Sequence, residues 1–91
     1  MRTFSRTNQF KKDVKRADKR GKDLAKLREA LDLLIDGNPL PPEYKDHPLR
    51  GDFAGSRDCH IEPDWLLIYT ITEKGAHVRF ERTGTHSDLF R

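Results

Sequence analysis

The chain has 91 residues, of which 36% are charged and 34% hydrophobic, with a net charge of +3. Leu, Ile, Val and Phe number 21, enough for one thin core in a single domain over residues 1–91, and just above the level at which charged chains stay disordered. A lone cysteine, Cys59, excludes an internal disulfide and a zinc–thiolate cluster, and no apolar run approaches the ~20 residues of a membrane span or a signal peptide's apolar stretch, so we expect a soluble cytoplasmic protein.

Arg2–Phe4 reads as a short first strand. Ser5 or Thr7 can then cap a helix whose Phe10, Val14 and Ala17 share one face. Lys19, Arg20 and Gly21 suit its C-terminus. A second helix begins near Asp23, with Leu24, Leu27, Leu31, Leu34 and Ile35 as its stripe, and Gly37, Asn38 and Pro39 end it. The short connection predicts an antiparallel helix pair. Charge is concentrated here: residues 1–28 hold 11 Lys/Arg against 3 Asp, net +8, while residues 29–91 hold 7 Lys/Arg against 12 Asp/Glu, net −5. Such a basic block suits a polyanion such as RNA, or is simply a solvated helix face.

Residues 38–55 form a long loop rich in Pro and Gly, a length that is often functional. Within it, Pro48 biases His47 to an extended backbone. Arg57–Glu62 then alternates, which places Asp58, His60 and Glu62 on one face and Cys59 and Ile61 on the other. Glu62-Pro63-Asp64-Trp65 fits a turn with proline second. Trp65–Thr72 is apolar on both faces, as a central strand is. Glu73-Lys74-Gly75 turns the chain into Ala76–Thr83, with Val78 and Phe80 inward and His77, Arg79 and Glu81 outward. The expected fold is α+β, in the order β-α-α-β-β-β. Two antiparallel helices would pack on one face of a small, mainly antiparallel sheet, and its other face would be free for a ligand.

Strand order carries one geometric inference. In an antiparallel meander the end of the last strand returns beside the start of the strand before it, so His86 should approach Asp64. Two imidazoles, a carboxylate and the nearby Arg82 suit the removal of a proton from an RNA 2′-hydroxyl, protonation of the departing 5′-oxygen and balance of the transition-state charge. Phe90 and Trp65 offer aromatic faces for a splayed base, or core cover. Alternatives stay open on the residues alone. His77 has no clustered partner and reads as incidental, and Asp64 can merely close its turn. His60, Asp64 and His86 would also suit zinc or iron, although the short-spaced His motif of metal enzymes is missing.

Three blocks carry a family resemblance: Tyr44-Lys45-Asp46-His47-Pro48-Leu49, Arg57 to Tyr69 (Arg-Asp-Cys-His-Ile-Glu-Pro-Asp-Trp-Leu-Leu-Ile-Tyr), and Arg79 to His86 with Leu89-Phe90. In this order and at these separations they resemble the YafQ-type toxins of the RelE/ParE superfamily of type II toxin–antitoxin modules. The resemblance extends to Lys12–Lys15 and is weakest over residues 50–56. It implies a RelE-like fold and a ribosome-dependent endoribonuclease that cuts translated mRNA in the ribosomal A site. It also implies a DinJ-like antitoxin that masks the site, and no cofactor. His47, His60, Asp64 and His86 match the family's catalytic set, and Arg82 and Phe90 its arginine and C-terminal phenylalanine. Lys45 and Arg57, within the same blocks, are expected to contact RNA. His86 is expected to be the acid and Asp64 or His60 the base. A catalytically inactive regulator of the same fold, binding nucleic acid or antitoxin, is the alternative.

Overall fold

The structure is a computed structural model in which residues 1–90 are described. Strand β1 spans Thr3–Arg6, followed by helix α1 (Asn8–Lys19) and helix α2 (Leu24–Asp36). Thr7, rather than Ser5, caps α1: its hydroxyl accepts from Phe10 N–H at 2.9 Å and donates to Glu81 O at 2.8 Å. Gly21 takes φ 81° after the last turn, and Lys22 N–H bonds Ala17 O at 3.1 Å, which closes a paired C-terminal cap that a side chain with Cβ would strain. Asp23 caps α2 through Ala25 N–H at 3.0 Å, and Gly37 ends it as Gly21 ends α1.

The remaining strands are β2 (His47–Pro48), β3 (Arg57–Glu62), β4 (Trp65–Thr72) and β5 (His77–Gly84), with a short helix α3 (His86–Leu89) after them. The sheet order is β1-β5-β4-β3-β2. The pairs β2–β3, β3–β4 and β4–β5 are antiparallel; β1 joins the edge of β5 in parallel. Both helix stripes bury against one sheet face: Phe10, Ala17, Leu27, Ala30 and Leu34 meet Cys59, Trp65, Leu67, Tyr69, Val78 and Phe80. Each large apolar side chain so buried contributes about 1.5–3 kcal/mol. Strand β4 is buried along Trp65–Tyr69, as its unbroken apolar run requires.

The structure departs from the sequence reading in five places, the first being the short helix α3, which the expected order β-α-α-β-β-β lacks. Strand β1 begins at Thr3 and runs to Arg6, because Arg2 is used otherwise: its guanidinium bonds Leu34 O at 2.7 Å and Gly75 O at 2.9 Å, satisfying a carbonyl at the end of α2. The long loop contains the two-residue strand β2, too short to leave a period in sequence. The second sheet face is only partly free, since Leu66 and Ile68 are covered by Leu89, Leu49 and Phe53. Finally, β3 bulges between His60 and Glu62. The extra residue turns Glu62 away from the face of His60, and its carboxylate meets Lys22 at 2.9 Å and Lys26 at 3.0 Å on the helix side.

Candidate active site

The ladder between β2 and β3 sets His47 opposite Asp58. Two residues along β3 stands His60, on the same face as Asp58. The tight Pro63-Asp64 turn carries Asp64 at the end of that hairpin. Strand β5 returns antiparallel to β4, so Gly84 lies opposite Leu66 and the chain enters α3 beside the turn. The result is a row of rings: His47 to His60 at 6.4 Å between centroids, His60 to His86 at 5.7 Å, His86 to Phe90 at 6.4 Å, and Phe90 edge-on to Phe53 at 5.7 Å.

His86 meets Asp64 where the meander argument puts it. Nδ1 lies 2.5 Å from Asp64 Oδ1, which also accepts the His86 backbone N–H at 2.9 Å. That backbone donor first, and the imidazole second, hold the Asp64 carboxyl below its ordinary range. An ionised carboxylate only accepts, so Nδ1 carries the proton and Nε2 is the atom left to exchange one. His47 is locked the same way: Nδ1–H donates to Lys45 O at 2.8 Å. Its Nδ1 also stands 3.3 Å from Asp58 Oδ1. Asp58 is buried under the cluster, and Oδ1 has no hydrogen-bond partner among the described residues. Burial raises the Asp58 pKa, and His47, His60 and His86 pull against that rise.

Helix α3 is short, and its placement rests on charge. The Thr85 hydroxyl accepts from Asp88 N–H at 3.1 Å while Asp88 Oδ2 accepts from Thr85 N–H at 2.9 Å. Arg20 holds Asp88 at 2.7 Å and Arg16 at 3.4 Å, and the Arg20 hydrogen bond is the main cause of a depressed Asp88 pKa. A carboxyl depressed in the folded state stabilises fully above its unfolded value, near 3.8, and loses that contribution as pH falls toward the folded value. Thermal melts between pH 5 and pH 2 should therefore fall less steeply for Asp88→Asn than for the wild type. Gly84 lets α3 approach: a Cβ there would lie 2.8 Å from Asp88 Oδ2, 2.9 Å from Asp88 Cβ and 2.9 Å from Arg16 Nη2. Gly84→Ala should push α3 outward and cut activity about 10–100-fold, while circular dichroism stays that of a folded protein.

The other site candidates are placed as follows. Arg82 does not converge on the rings through a hydrogen bond; its Nε bonds Asp13 Oδ2 at 2.7 Å and its Nη2 bonds Asp13 Oδ1 at 3.3 Å. Arg57 is paired with Asp46 at 3.2 Å. Lys45 is exposed on the loop and meets His47 through its carbonyl. Trp65 is 1% exposed and donates to Thr83 Oγ1 at 3.0 Å, so it is core and no stacking platform. Phe90 stays 40% exposed at the end of the row. His77 lies on the β1 edge with its two ring nitrogens on the hydroxyls of Thr3 and Ser5, at 2.7 and 2.9 Å. Among the described residues no three His, Cys, Asp or Glu side chains stand as a metal-binding group. Cys59, one position before His60, faces the helix-side core, where burial pushes its thiol up to about 12. Sequence reasoning missed Asp13, Asp46 and Phe53 as members of the site's surroundings. Asp58 was legible from alternation with His60, but its burial was not.

The α+β fold is shared with solved bacterial toxins over the full length of the chain. The chain belongs to the YafQ family, bacterial toxins of type II toxin–antitoxin systems, whose family model matches residues 2–91. It is 54% identical over 90 residues to the mRNA interferase toxin YafQ of Escherichia coli K12, covering 98% of this chain and 96% of that one. The crystal structure of YafQ from E. coli BL21(DE3) superposes with a TM-score of 0.93 at 51% identity, covering 100% of both chains. The toxin of the E. coli DinJ–YafQ complex superposes at 0.90 and 53% identity, covering 99% of this chain and 98% of that one.

Proposed function

We propose that this toxin is an endoribonuclease that cuts mRNA in the ribosomal A site by side-chain acid–base catalysis, and so stops translation. The hydrogen bond between His86 and Asp64 is the observation that carries this reading. It orients one imidazole and fixes its proton on Nδ1, which leaves Nε2 as the atom that exchanges a proton with the substrate, the placement a general acid needs. Asp64, with Oδ1 engaged twice by His86, serves as the orienting group. The base is then His60, the middle ring, with His47 beside it.

In the reaction the base takes the 2′-hydroxyl proton. A bond forms from O2′ to phosphorus, the bond from phosphorus to O5′ breaks, and His86 gives its proton to O5′. The products are a 2′,3′-cyclic phosphate and a 5′-hydroxyl. Phe90, exposed beside His86, stacks a base of the substrate. Lys45 lies on the loop next to His47, where a cation meets the RNA backbone. Exposed Lys11, Lys12, Lys15 and Lys19 on α1 supply the cationic face toward ribosomal RNA. The whole chain acts as one cytoplasmic toxin domain. Its antitoxin is DinJ-like, as in the E. coli complex, and covers the histidine row. Among the described residues no helix is long and apolar enough to cross a membrane.

Programmed ribosomes test the proposal. Cleavage of A-site mRNA should persist in excess chelator and leave 5′-hydroxyl ends. Equal cutting of free RNA would remove the ribosome dependence, loss of cleavage in chelator would remove the side-chain mechanism, and no cleavage at all would favour an inactive regulator of the same fold.

A further inference from the structure

Strand β2 poses a physical problem. It has two residues, His47 and Pro48, at the edge of the sheet, and a ladder of that length cannot hold an imbedded geometry by itself. Yet His47 is one of the rings in the row. The residue before it, Asp46, is gripped from two directions. The hydroxyl of Tyr69, on the central strand β4, donates a short hydrogen bond to Asp46 Oδ1. Arg57, on β3, donates through Nε to both Asp46 oxygens at 3.3 Å and through Nη2 to Oδ2 at 3.2 Å. Tyr69 belongs to the helix-side core, so Asp46 points to the face opposite the histidines and does not reach the substrate.

The preceding residue completes the arrangement. Lys45 takes φ 51°, a left-handed backbone, and its N–H bonds Pro42 O at 3.0 Å. That turn presents the Lys45 carbonyl to His47 Nδ1. A left-handed non-glycine residue persists only when its surroundings over-determine it. Here the bonds to Asp46 do so on one side and the Pro42 carbonyl on the other. After β2, Leu49 N–H bonds Ser56 O at 2.9 Å and returns the loop to β3.

We infer that Asp46, clasped by Tyr69 and Arg57, is a positioning residue for His47: it fixes the edge strand and thereby the tautomer and place of that imidazole. This inference rests on the proposed ribonuclease reaction and adds a residue to it. It also reassigns Arg57 from RNA contact to the clasp. The side chain of Asp46 is 27% exposed and sits on a loop, so its loss removes no apolar core side chain, although it leaves the Tyr69 hydroxyl without its acceptor.

The test is a double-mutant comparison with single-turnover cleavage on programmed ribosomes. Asp46→Ala should lower the cleavage rate about 10–100-fold, with little change in ribosome affinity. In a His47→Gln background the same change should cost nothing further. Nitrogen-15 NMR of the His47 ring should show one Nδ1–H tautomer in the wild type and a mixture in Asp46→Ala. Arg57→Gln, which leaves Tyr69 on Asp46, should give a smaller loss of the same kind, so a failure of one variant to fold leaves the other informative. Equal losses in both backgrounds, or an unchanged tautomer, would overturn the inference. If the wild type cuts no RNA, the proposed reaction fails, while the tautomer measurement still decides the clasp.

Discussion

Replacing His86 by glutamine should lower mRNA cleavage by about 10²–10⁴-fold, the range one proton-transfer group supplies, and relieve growth arrest on induction. Glutamine keeps an amide that can still reach Asp64, so the short helix α3 stays where Thr85, Asp88 and Arg20 hold it. What is lost is the proton on Nε2. The discriminating readout is therefore rate against stability: melting should move by a few degrees at most, and ribosome binding should be retained. Mapping the 5′ ends of cellular messages after induction of wild type and His86→Gln would read both activity and its position. Wild-type cleavage by the variant would take the acid role from His86. Asp64→Asn should give a smaller loss, because an asparagine oxygen still accepts from Nδ1–H and keeps the ring oriented, while the carboxylate charge is gone.

The second large effect is on stability. Asp13 is 1% exposed, and it binds Arg82 twice, Arg16 at 3.2 Å, Gln9 at 3.1 Å and the Thr83 backbone N–H at 3.2 Å. It joins α1 to the edge of β5 that β1 leaves unpaired, so it satisfies a sheet donor as well as two guanidinium groups. Asp13→Ala orphans that donor and leaves Arg82, three-quarters buried, without its counter-charge. The expected cost is on the order of 3 kcal/mol. For a domain of this size that lowers the melting temperature by about 10–20 °C. Asp13→Asn should fall between, since it keeps acceptors but loses the charge. Urea unfolding measures the difference directly, and a change under about 1 kcal/mol would mean that solvent already screens the pair.

Both effects turn on contacts between segments that are far apart in sequence, which bears on how legible the molecule was. The helix ends at Gly21 and Gly37 and the start near Asp23 were readable because capping is local chemistry, while the choice of Thr7 over Ser5 was not. The helix stripes and the double-sided apolar run of β4 were readable because burial imposes a period. The meeting of His86 with Asp64 was readable although 22 residues separate them, because an antiparallel meander has few geometries. The bulge at Ile61 was not, and it moved Glu62 to the other face; one extra residue leaves no mark on composition or period. Strand β2 was hidden for the same reason.

By itself, then, the amino-acid sequence determined β1, the two long helices and the β3–β4–β5 meander in their order, the core stripes, the resemblance to the YafQ family and the residues able to move protons, but neither β2 nor α3. Tertiary structure alone decided which of those residues converge. Arg82 and Arg57 look equally available in the chain, but each is held by a carboxylate, Asp13 and Asp46, that no local pattern connects to it. Asp58, on β3, became a buried group beside three imidazoles only when β2 and α3 closed over it. Local propensity and periodicity act within a few residues, whereas ion pairing and burial depend on neighbours that only the closed sheet supplies.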